Sequence, residues 1–365
     1  MHKSSLLFVI GALVALLSAC DSAGSSGVAA TPTPDLGKIQ EQTLAPSALN
    51  IGSLTSGADR NLWFIESAQL KESKIARINS TGKVDEFALP TTNAALGGSL
   101  ISGPDGNLWF NEILVDAVSG QLQQAKIGSI TSAGEIKEFD LPAGSYAQSL
   151  TAGPDNALWF ADANKIGRMT LDGQINEFPL SSPEINPLAI VKGSDGNLWF
   201  SSIGKIGRLT PTGQETEFSL SSNQGTPAFL TLGGDGKLWF AETVTNKQPV
   251  KLGRVDTTGK ITEFAIPYTI VTGIASSSDG ALWISEQRLS GSNNNPVVTG
   301  LIGHLTSNGT FGEIQLSRQT IPSSITRGPN GKIWFSEIAL NGKNVNTYLS
   351  GNDFSGMLRK VAYFS

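Results

Sequence analysis

A single cysteine, Cys20, among 365 residues leaves no route to an internal disulfide or to a multi-thiolate metal site. Charge is also sparse. Lys, Arg, Asp and Glu make up 16% of the chain and sum to −5, which argues against nucleic acid as a partner. The apolar run from Leu6 to Leu17 is too short for an ordinary membrane-spanning helix. No dense cluster of aspartates marks a dedicated metal site. Scattered carboxylates could still bind Mg²⁺ or Ca²⁺ through oxygen.

The N-terminus has the proportions of an export signal, with Lys3 ahead of the apolar run and small residues after it. Leu17-Ser18-Ala19-Cys20 resembles the lipobox of bacterial lipoproteins, which implies cleavage before Cys20 and its lipidation. Acyl chains anchor at about 0.8 kcal/mol per buried CH₂, so two or more give stable attachment. Residues 1–20 are therefore expected to be a lipoprotein signal, and the protein to face outside the cytoplasm of a bacterium on a lipid anchor. Residues 21–36 are Ser, Gly, Ala, Thr and Pro with few large apolar side chains, as a flexible tether requires. Residues 37–365 show no further break and read as one domain, expected to be a monomer.

That domain is a repeat. The stretch Gly103-Pro-Asp-Gly-Asn-Leu-Trp-Phe-Asn-Glu112 occurs seven times in related form, at Trp63, Trp109, Trp159, Trp199, Trp239, Trp283 and Trp334, which are all the tryptophans present. Their spacing of 40 to 51 residues is that of propellers and solenoids. Each copy reads as an Asp-Gly-type turn and a strand apolar on both faces, which must be covered on both faces. Burying one Trp hides ~150–250 Å², a gross gain of ~4–6 kcal/mol. A second pattern follows, clearest in Lys165-Ile-Gly-Arg168, a turn at Asp172-Gly173, and Ile175-Asn-Glu-Phe178. The unit is a four-stranded blade, inner A to outer D, and the fold is an all-β seven-bladed propeller. Lys360 to Phe364 matches strand C and Gly37 to Glu41 matches strand D, so the N-terminal strand is expected to close the last blade.

With two-residue C–D turns, Arg77 would face Glu86, Arg168 Glu177, Arg208 Glu217, Arg254 Glu263, and His304 Glu313. The short A–B and C–D turns leave one end of the ring plain, and the B–C and D–A connections share the other. The B–C connections are two residues in blades 3 and 4, but run from Ile113 to Ala125, Gln287 to Gly300 and Ile338 to Arg359 in blades 2, 6 and 7. Loop variation confined to one end points to binding there.

The combined motif, Gly-Pro-Asp-Gly-Asn-Leu-Trp-Phe-x-Glu with Lys-Ile-Gly-Arg and Glu-Phe-x-Leu-Pro, resembles the virginiamycin B lyase (streptogramin lyase) family across the whole domain. The resemblance implies a seven-bladed propeller and an Mg²⁺-assisted elimination that opens the lactone ring of streptogramin B antibiotics. It also implies a histidine at the start of a strand A beside a glutamate at the end of strand B. Here the strand B ends are Glu66, Glu112, Asp162, Ser202, Glu242, Glu286 and Glu337, and the strand A starts are Gly52, Gly98, Gln148, Leu188, Ala228, Thr272 and Ser323. None is histidine, and the chain has only His2 and His304.

Most strand B acids are expected to pair with the lysine that opens strand C, namely Lys74, Lys126, Lys251 or Lys360. Glu286 lacks that lysine, because blade 6 has Leu301 there. Glu286, with Arg288, Asn293, Asn294 and Asn295 and the adjacent Glu337, is thus the candidate ligand site, and Glu286 the candidate base if any catalysis occurs. Three functions fit. The chain is a binding module for a small molecule, glycan or protein, a Mg²⁺-dependent carbon–oxygen lyase, or a sugar-lactone hydrolase-like propeller.

Overall fold

The computed structural model describes residues 38–44, 50–68, 72–116, 121–182, 185–222, 225–243, 250–267, 269–292, 295–317, 319–340 and 358–364. Cys20 and the tether lie outside them. The strands form seven four-stranded antiparallel sheets, each running A-B-C-D from the axis outward. Blade 1 is Asn50–Ser56, Leu62–Ala68, Glu72–Ile78 and Val84–Ala88, and the pattern repeats around the ring. Blade 7 is closed as expected. Ile39–Thr43 pairs with Leu358–Phe364, Glu41 opposite Ala362, and Lys360 reaches Glu41 at 2.5 Å.

The tryptophans lie between blades. Trp63, Trp109, Trp159, Trp199 and Trp239 are essentially inaccessible, while Trp334 of the closing blade is only partly buried. In blades 1 to 5 each stacks on the strand D phenylalanine, as Trp159 does on Phe178 with centroids 5.2 Å apart. The turn aspartate has a role beyond shaping the turn. Asp105 accepts the Trp109 indole N–H at 3.0 Å, and Asp59, Asp155, Asp195 and Asp235 do the same in their blades.

The C–D turns correct the expected register by one residue. Thr170 N donates to Gln174 O and Gly173 N to Thr170 O, so the loop holds three residues and ends on Gly173 at φ 95°. This is a type I turn with a glycine bulge in place of the two-residue turn. Arg77, Arg168, Arg208 and Arg254 therefore stand opposite Asp85, Asn176, Thr216 and Thr262. The strand D glutamates bind the lysines instead, with Lys74–Glu86 at 3.0 Å, Lys165–Glu177 at 2.7 Å and Lys205–Glu217 at 2.6 Å. Arg77, Arg208 and Arg254 lie over the Trp–Phe stacks, Arg208 at 5.5 Å from both rings, while Arg168 pairs with Asp155. From there Arg77, Arg208 and Arg254 reach the next blade's C–D turn, donating to Ser132 O, Thr257 O and Ser307 O. They are inter-blade clasps.

Candidate functional site

The loop-bearing end is built from the ends of strands B and the starts of strands A. Two-residue B–C turns join Asp162 to Lys165 and Ser202 to Lys205 as expected. Blade 6 differs. The segment read as a loop, Gln287 to Gly300, mostly extends the ladder, with strands Leu282–Ser292 and Asn295–Leu305 paired to Ser292–Asn295. Asn293 and Asn294 lie outside the described residues, and Asn295 opens the returning strand. Most of the blade 7 connection, 341–357, is likewise outside them.

The strand B acids are not exposed partners of lysine. Glu66, Glu112, Asp162, Glu242, Glu286 and Glu337 are all at most 1% exposed. Asp162 and Glu337 lie 3.5 and 3.6 Å from their lysines. Burial, with Glu138 beside it, pushes the Glu112 carboxyl up to about 7. Burial and the neighbouring Glu41 push Glu337 up to about 7 as well. Glu66 is neutralised differently. Arg359 donates to it at 2.5 Å in an ion pair 2% exposed on both sides, tying blade 7 to blade 1. Sequence reasoning places Arg359 only at the end of the blade 7 connection. Its position just before Lys360, where other blades carry uncharged residues, is the signal that marks it.

Glu286 is fully buried for a reason written in its own strand. In blades 2 to 5 the rings of Phe110, Phe160, Phe200 and Phe240 cover a strand C glycine so closely that no Cβ would fit. Blade 6 has the smaller Ile284 opposite Gly303, and the Glu286 carboxylate folds into the space left over that glycine. Neither oxygen has a hydrogen-bond partner of good geometry among the described residues. Burial, then Glu313, drives its carboxyl up to about 8, against weaker pulls from Thr269 and Arg288. It is held neutral near pH 7. Arg288 donates to Glu313 at 2.8 Å.

His304 packs its ring at a tilt of 58° against Trp283. It sits opposite Trp283, with centroids 4.6 Å apart, and faces Gly312, not Glu313. Burial holds its imidazole below the ordinary value.

The inner strands carry β-bulges beside the strand B acids in blades 1, 2, 6 and 7, at Gly52, Gly97 to Ser99, Thr272 and Ser323, and one residue further in, opposite Phe240, at Phe229 of blade 5. Bulges of this kind re-aim side chains beside functional sites. Some are tied down, since Thr272 Oγ1 meets Ser285 Oγ at 2.9 Å and Ser323 Oγ donates to Ile51 O at 2.9 Å. Gly52, Gly98, Leu188 and Ala228 bring no polar side chain.

A Mg²⁺ ion of the kind the resemblance implies needs several oxygen ligands converging in near-octahedral geometry. The acids present do not fit it. One is paired with Arg359, three are held up by burial near neutral pH, and no three possible ligands converge among the described residues.

The sequence model of the virginiamycin B lyase family matches residues 25–205 and 121–342. The structure of virginiamycin B lyase from Staphylococcus aureus is 30% identical, with a TM-score of 0.67 over 89% of this chain and 98% of that one. A catalytically inactive histidine-to-alanine variant of the S. aureus lyase, with quinupristin, gives a TM-score of 0.69 at 30% identity over the same shares. The extracellular domain of a two-component system from B. thetaiotaomicron, 11% identical over 88% of this chain and 39% of that one, shares the fold with a TM-score of 0.56. No curated protein matches in sequence. With the fold, the repeat and matches spanning most of its length in agreement, the chain belongs to the virginiamycin B lyase family.

Proposed function

We propose that this protein is a ligand-binding member of the family that does not carry out the lyase reaction, displayed outside the cytoplasm on a lipid anchor at Cys20. One observation carries the reading. The loop-bearing end has no histidine among its strand A starts, and the one histidine of the domain, His304, packs at a tilt against Trp283 within a blade. Elimination beside a carbonyl needs a base able to reach the proton. Glu286 is buried and held neutral, so it cannot substitute. A relative that holds quinupristin when inactivated by loss of one histidine supports the idea that binding and ring opening are separable on this scaffold.

The test is incubation of the purified protein with quinupristin and Mg²⁺. Intramolecular elimination opens the ring without changing the mass, so the readout is chromatographic retention with fragmentation. Unchanged ligand after long incubation is expected. Ring opening that disappears with EDTA would overturn the proposal.

A further inference from the structure

Three large hydrophobic side chains are exposed among the described residues: Ile203 at 61%, Phe229 at 39% and Val297 at 47%. They belong to consecutive blades, Ile203 and Val297 at the loop-bearing end and Phe229 midway along the inner strand between them. Ile203 is in the B–C turn of blade 4, Phe229 in the inner-strand bulge of blade 5, and Val297 on the extended hairpin of blade 6. Gly204 N, next to Ile203, donates at 2.7 Å to Gly225 O, four residues before Phe229.

Phe229 also has the backbone least suited to it. Its φ is 54°, in the left-handed region where a bulky residue is an outlier. Four other non-glycine residues have positive φ, and Arg60, Asn93, Asn156 and Gln319 all lie in turns or connections. Phe229 lies inside a strand, Thr226–Leu232. An inner strand has a neighbouring blade on each face and strand B along its outer edge. Its exposed side is the central channel. The bulge therefore turns an aromatic ring toward the channel, and strain of this kind persists where the surroundings enforce it.

The one strand B acid of this sector, Glu242 of blade 5, is fully buried, and burial pushes its carboxyl up. Strand B of blade 4 ends in Ser201-Ser202, and the strand A starts of blades 4 and 5 are Leu188 and Ala228. We infer that Phe229 contacts the ligand, packing its ring against a neutral aromatic or aliphatic ring of a small molecule seated over blades 4 and 5. Ring-to-ring contact supplies both area and geometry, and a ring set within the channel is reached by a small ligand and not by a flat protein surface. The inference rests on the binding reading above.

The test is calorimetric titration of quinupristin into the parent, Phe229→Gly and Phe229→Trp, with a melting curve for each. Glycine takes φ 54° without strain, so that variant should melt at or above the parent temperature while binding about tenfold more weakly, and the tryptophan variant should bind like the parent. Undiminished affinity in the glycine variant would overturn the role of Phe229 and leave the binding reading intact. A glycine variant losing stability together with affinity would mark the ring as packing and overturn it too. No binding by the parent would sink both readings.

Discussion

At the scale of single residues, the strand B acids show what burial does to a repeated position. Glu286, Glu112 and Glu337 have folded-state pKa values of about 8, 7 and 7, above an ordinary 4.5. The unfolded chain releases these protons first. Between about pH 4.5 and the folded value the native state holds the extra proton, so their contribution to stability falls as pH rises through that window. We predict that Glu286→Gln stabilises the protein at pH 8 by on the order of a few kcal/mol, gains little at pH 5, and flattens the dependence of melting temperature on pH. An equal effect at both values would show that the Glu286 carboxyl ionises normally. Arg208 makes the converse case, as it lies over Trp199 and Phe218 and donates to Thr257 O. Arg208→Ala is expected to cost about 1–2 kcal/mol in urea unfolding, whereas Glu217→Gln should cost less, because its lysine pair is partly exposed. The reverse ranking would restore the Arg–Glu pairing that the sequence suggested.

At the scale of elements, the blade was legible and its register was not. Seven Trp strands, the Asp-Gly turns and the Lys-Ile-Gly-Arg run identify four strands and their order. An Asp-Gly dipeptide suits a two-residue turn and a glycine-bulged three-residue turn alike. The two differ by one residue, enough to exchange Arg for Lys as the partner of Glu177. The burial of Glu286 was hidden for another reason: it depends on Ile284 standing where other blades have phenylalanine, and on the space this leaves over Gly303. The strained backbone of Phe229 has no signature in Ala228-Phe229-Leu230. Turn glycines make a firm prediction. Gly173 has φ 95°, and a Cβ there would meet the Phe139 ring of the preceding blade at 2.5 Å. Gly173→Ala should therefore destabilise by about 2–4 kcal/mol in chemical denaturation, while Gly196→Ala, with open space at its Cβ, should lose less. Equal losses would mean that inter-blade packing adds nothing to backbone strain.

At the scale of the whole molecule, ring closure and the two-ended layout followed from the termini and the turn lengths, and the structure has both. The strand Ile39–Thr43 completes the blade that carries Trp334, and its loss would expose Val361 and strand Leu358–Phe364. Deleting residues 38–44 should lower the melting temperature by several degrees or more; a deletion variant as stable as the parent would show that the ring holds without its closing strand. Lipidation belongs to this scale as well. Cys20→Ser is expected to move the protein from the membrane fraction to the soluble one, and an unchanged distribution would argue against the anchor. The functional claim is that this end of the ring binds without opening its ligand. It is tested most directly by proton NMR of quinupristin with the protein and Mg²⁺, because elimination creates a carbon–carbon double bond and hence a new olefinic signal. The account predicts ligand lines that broaden on binding, with no olefinic signal growing over time. A growing olefinic signal, suppressed by EDTA, would contradict it.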